Sequence, residues 1–152
     1  MNLYRYKEWF DAGEMHEHSK EWFSELSFIR DEQKFLDKLI TSFATKSLDR
    51  KKFKKLDDFR IAIQKNQQIV MSLLKKIQSH MNRLELLTDK VDQLDMEKAY
   101  RKKHKELFNN VENHVLDFKR IKQEGFLTLT DLLKDSKRMA IGNPEYKLTA
   151  KL

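Results

Sequence analysis

Histidines are the residues of this chain whose type and spacing suggest chemistry. His18, His80 and His104 lie far apart in sequence, each within a helix-forming stretch. Neutral imidazoles from different helices, projecting into a bundle core, are the donor set that holds Zn²⁺, Fe²⁺ or Cu²⁺. Glu21 follows His18 by three residues and so shares its side of a helix, which makes it the candidate carboxylate of a divalent transition-metal site. A second polar set, Glu25, Asn66 and His114, also falls on apolar stripes. His16 differs, since the stretch Glu14-Met15-His16-Glu17-His18 is charged and reads as solvent-exposed. With no cysteine in the chain, thiol catalysis, disulfides and thiolate metal sites are excluded. Neither Glu-x-x-His nor His-Glu-x-x-His occurs, so the local spacing of di-iron carboxylate bundles and zinc proteases is missing.

The elements that must position these residues are legible from periodicity. Leu56, Ile63, Val70, Ile77, Leu84 and Val91 recur every seven residues, with Phe59, Asn66, Leu73, His80, Leu87 and Leu94 as the other row of the seam. A heptad seam of this kind predicts a long helix, from about residue 50 to 90, packed against other helices as in a coiled coil. Before it, Trp22, Leu26, Ile29, Leu36, Ile40 and Phe43 mark a helix over about 12–45, started by Asp11 and Glu14 in a capping-box arrangement. Phe23, Phe28, Phe35 and Leu39 widen that stripe, which implies neighbours on more than one side. Ser47-Leu48-Asp49 forms the turn.

A third helix carries Tyr100, His104, Leu107, Phe108, Val111, His114, Phe118 and Ile121. The boundary near 89–95 lacks Gly and Pro, so the second and third helices read either as a hairpin or as one rod. Gly125 reads as a left-handed C-cap, with Thr128 or Thr130 starting a short fourth helix through Met139. The fold class expected is all-α: an antiparallel up-down-up bundle of three long helices, with a short C-terminal fourth helix and an aromatic N-terminal arm over Met1–Phe10. One domain spans 1–141 and a flexible tail follows over 142–152.

Hairpin geometry then sets heights. His80 and His104 lie equidistant from a turn centred near residue 92, and His18 falls within a turn of the same level across the first turn. By the same reckoning Glu25 and His114 lie level with Val70, one turn from Asn66. Two polar layers result. They are read first as buried groups that set register, with the metal site as the alternative.

Charge is uneven. Residues 1–32 hold twice as many acids as bases, a net of −4, so within a chain of net charge +7 the remainder carries +11. Lys46, Arg50, Lys51, Lys52, Lys54 and Lys55 crowd the first turn, and Lys134, Lys137 and Arg138 return to that end. Phosphates of nucleic acid or an anionic surface would suit this patch, although a solvated pole is the simpler reading. No run approaches the roughly 20 apolar residues of a membrane span, and Met1–Phe10 lacks a signal peptide's apolar segment. The expectation is a cytoplasmic, non-enzymatic bundle that self-associates or docks a protein partner.

Overall fold

In a computed structural model, which describes residues 11–46, 48–88 and 94–141, the chain forms three helices: α1 (Ala12–Ala44), α2 (Arg50–Thr88) and α3 (Leu94–Ile141). Asp11 caps α1, its Oδ1 accepting from the Glu14 N–H at 2.8 Å. Asp49 caps α2 in the same way, accepting from the Lys52 N–H at 2.8 Å. Each cap satisfies a first-turn amide that has no partner inside the helix.

The heptads predicted from the sequence face inward. On α2, Leu56, Phe59, Ile63, Asn66, Val70, Leu73, Ile77, His80, Leu84 and Leu87 are all buried. The side chains of Val91 and Leu94 lie outside the described residues. On α1 the buried row is longer than the aliphatic pattern suggested: Ala12, Met15, Ser19, Trp22, Leu26, Ile29, Gln33, Leu36, Ile40 and Phe43 alternate at three- and four-residue steps. One apolar cluster joins all three helices, from Trp22 on α1 through Val70 on α2 to Leu132 on α3. A second cluster, Ala12, Met15, Leu84 and Leu87, closes the end near the start of α1. α2 lies between its neighbours and carries most of the packing, while α1 and α3 meet along a thinner seam.

α2 and α3 run antiparallel as a hairpin. His80 meets His104, Asn66 meets Asp117 and Lys52 meets Asp135, so numbers fall on one helix as they rise on the other. The register expected for this pair therefore holds. Between α1 and α2 it does not: Asn66 faces Gln33, one helical turn beyond Ile29, which simple mirroring about residues 47–48 would set at that level. The cause is local. Thr45 keeps a helical backbone (φ −76°, ψ −12°) and the Lys46 N–H donates to Phe43 O at 3.1 Å. The chain thus continues to wind past Ala44 before it reverses.

Gly125 is not a C-cap. It lies inside α3, which runs unbroken to Ile141, so the residues expected to form a fourth helix continue the third. A Cβ at Gly125 would lie only 2.2 Å from the Phe59 ring. The glycine is there because the α2 phenyl ring packs against its bare backbone. The aromatic arm (1–10) and the C-terminal tail (142–152) fall outside the described residues.

In most exposed helix interiors, glycine to alanine stabilises by up to about 1 kcal/mol. Here Gly125→Ala should destabilise by about 1–3 kcal/mol, because Phe59 is buried and must shift. Urea unfolding of Gly125→Ala, Phe59→Leu and the double variant should show the two changes compensating. Simple additivity would contradict the contact.

Candidate functional site

The three histidines do come together. His18 arrives from α1, His80 from α2 and His104 from α3. His80 Nε2 and His104 Nδ1 are 3.1 Å apart, and His104 Nε2 and His18 Nδ1 are 3.4 Å apart. The rings stack, with centroids 5.3 Å apart for His80–His104 and 5.6 Å for His104–His18. Trp22 stacks on His104 at 4.4 Å, and Tyr100 meets His80 edge-on at 6.3 Å. His80 and His104 are fully buried, whereas His18 is partly exposed.

The arrangement is serial. His104 offers one ring nitrogen to each neighbour, and a neutral imidazole carries one N–H and one lone pair, so a row of three can be hydrogen-bonded in only two directions. His80 Nδ1 is buried and has no partner. An orphaned buried N–H is rarer than an orphaned acceptor. The favoured order therefore has His80 Nε2–H donating to His104 Nδ1 and His104 Nε2–H donating to His18 Nδ1. The last N–H then falls on His18, the one ring of the three with access to water.

A three-histidine metal centre asks for three nitrogens about 2 Å from one point. In the present arrangement the two nitrogens of His104 point to different partners, so the three rings do not converge on one point. Glu21, the candidate fourth ligand, is exposed on α1. Among the described residues, no group of three or more His, Cys, Asp or Glu side chains is placed to hold a metal ion.

Burial dominates the electrostatics. It pushes His80 down to about 4, with the positive charges of Lys103 and Arg83 acting in the same direction. It pushes His104 down to about 3, reinforced by His80 and His18. Both rings are neutral at physiological pH, as the serial hydrogen bonds require.

The second polar layer is assembled differently from the sequence expectation. Gln33 Nε2 donates to Asn66 Oδ1 at 2.6 Å, and Asn66 Nδ2 donates to Asp117 Oδ2 at 3.4 Å. Arg120 Nη2 then donates to Asp117 Oδ1 at 2.8 Å, so the chain runs from the core to the surface. Glu25 and His114 are not part of it, although Glu25 lies close to this stretch of α3, where Glu112 is one of its electrostatic neighbours. Burial raises Glu25 and lowers His114, the nearby Asp117 charge opposing the latter, and His114 Nδ1 has no partner. Gln33 is the residue that the aliphatic pattern missed. Its place between Ile29 and Leu36 in the α1 seam was the available signal.

At the basic end, Lys51, Lys54 and Lys55 are exposed, but Lys52 bridges to Asp135 on α3 and lies 3.9 Å from Asp49. Lys55 lines a cleft of about 470 Å³ together with Asp58, Glu124 and Asp131. The patch is thus interleaved with acids. Phe59 is core, as its place beside the stripe implied, while Phe53 is half exposed. No described helix is long and apolar enough to cross a membrane. The chain matches no family model, curated protein or solved structure.

Two outcomes follow from these layers. Because the folded-state values of His80 and His104 lie below that of a free histidine, the unfolded chain binds more protons as pH falls below about 6.5. Stability should be full above that pH and decline toward pH 4, by up to about 1.4 kcal/mol per pH unit for each histidine. Urea unfolding across this range should show the decline, and His104→Gln should flatten it; an unchanged slope would contradict the assignment. Separately, Asn66→Leu should cost about 1–3 kcal/mol by stranding the buried Gln33 amide. The double variant Gln33→Leu/Asn66→Leu should recover much of that loss in the same assay.

Proposed function

We propose that the protein is a non-enzymatic helical bundle whose role is to bind protein, presenting the outer face of α1 to a partner. The observation that carries this reading is the exposure of Phe28 and Phe35, at 70% and 64%, one heptad apart and therefore on one helical face. Large exposed aromatics in register are the side chains that anchor protein interfaces. They add nothing to the bundle's own core, which Leu26, Ile29, Gln33 and Leu36 already fill on the opposite side. The histidine and asparagine layers support the same reading, since buried polar groups that pair across helices fix register and give a rigid surface to dock against. The reading places the protein in the cytoplasm, with which its cysteine-free composition is consistent.

Phe28→Glu/Phe35→Glu tests it. Both positions face water, so the melting temperature should change little. Binding to a protein recovered from source-cell extract, or to the chain itself, should fall at least tenfold. If the wild type and the variant retain the same binding, the outer face of α1 is not the docking surface.

A further inference from the structure

The outer face of α1 has a direction. Its exposed residues begin with Glu14, Glu17 and Glu21, with Lys20 bridging to Glu17 at 3.3 Å, pass through Phe28 and Phe35, and continue with Lys38. Beyond the end of the helix come Lys46, Arg50 and Lys51, all exposed at the same pole. Acid, aromatic and base thus follow one another along one side of a helix that is about 50 Å long at 1.5 Å per residue.

A surface with this order is complementary to itself when reversed. We infer that the partner of this face is a second copy of the chain, bound antiparallel through α1 about a two-fold axis passing between Asp31 and Glu32. The inference rests on the proposed docking role of the α1 face and names its occupant. In such a pair Phe28 of one copy lies level with Phe35 of the other. Glu17 lies level with Lys46, and Glu14 falls beside the basic start of α2, where Arg50 and Lys51 lie. Lys38 comes level with Glu25, within a turn of Glu21. A parallel pair would instead stack acid on acid and base on base, which is disfavoured. Asp31 of one copy lies level with Glu32 of the other near the axis, and both are already paired, Asp31 with Arg30 at 3.5 Å and Glu32 with Lys122 at 2.9 Å. An isologous contact of this kind uses one patch twice and closes at two copies. Two aromatics per copy at the centre, ringed by charge, reproduce the apolar-core and polar-rim layout of protein interfaces.

The absence of cysteine from the chain makes the geometry directly testable. Ser24, Asp31 and Lys38 are exposed, spaced by sevens, and lie along one edge of the outer face. In the full chain, Asp31→Cys should form a disulfide-linked dimer under mild oxidation. Ser24→Cys and Lys38→Cys should each form no disulfide link alone but link to one another when mixed. Sedimentation of the cysteine-free chain should show a dimer that weakens with salt, and Phe28→Glu should shift it to monomer with at least a tenfold weaker association.

Equal self-linking at all three positions would mean a parallel pair and would overturn the proposal. So would a monomer at every concentration, whatever covers the face. If that monomer still loses a different protein on Phe28→Glu/Phe35→Glu, the docking role stands and only the second copy is excluded. If it loses nothing, both fail. Linking of Asp31→Cys that persists unchanged with Phe28→Glu would show random collision and would also overturn it.

Discussion

A polar side chain buried in a heptad seam must find its partner at its own height, and this requirement fixes how the three helices sit against one another. Apolar seams alone are permissive, because sliding α3 by one heptad would set leucine and valine against other aliphatic residues at little cost. The same slide would set His80 against Val111 and strip it of its only hydrogen-bond partner in the row. The imidazole row near one end and the Gln33–Asn66–Asp117 chain toward the middle therefore act as two pins. Two pins on three rods define a single register.

The sequence revealed these pins unevenly. His80 and His104 were placed correctly because the α2–α3 hairpin obeys simple mirroring, and Phe59 lies opposite Gly125 under the same rule. The α1 register was not legible. It depends on whether the chain stops winding at Ala44 or continues through Thr45 and Lys46, a matter of backbone angles that no side-chain pattern encodes. The one-turn displacement helps His18 reach His104, since it brings His18 nearer to the level of His80 than simple mirroring would. Gly125 was misread because a glycine that ends a helix and one that admits a neighbouring ring look alike in sequence. The ring that needs the space lies on another helix, far away in the chain.

The division of labour across α1 links the core to the surface. The inner row, from Ala12 to Phe43, is spent on the bundle. Rotating by a little over a third of a turn brings up Phe28 and Phe35, which face water in the isolated chain. A rod whose inner face is fixed by polar pins holds its outer face straight and constant in phase, which matters for any partner that must match aromatic and charged positions along its length. The proposed pairing of α1 with a second copy uses that rigidity. The chemistry first suggested by the histidines turns inward, and the contact with other molecules falls to the opposite side of the same helix.

The central claim is that neutral, serially bonded imidazoles lock the three helices together. Scalar coupling across hydrogen bonds, observed by NMR on protein carrying ¹⁵N-histidine, reads this directly. The account predicts coupling between His80 Nε2 and His104 Nδ1 at neutral pH, with both rings staying in single neutral tautomers well below the pH at which free histidine titrates. Absence of that coupling, with both rings protonating in the range of free histidine, would contradict it.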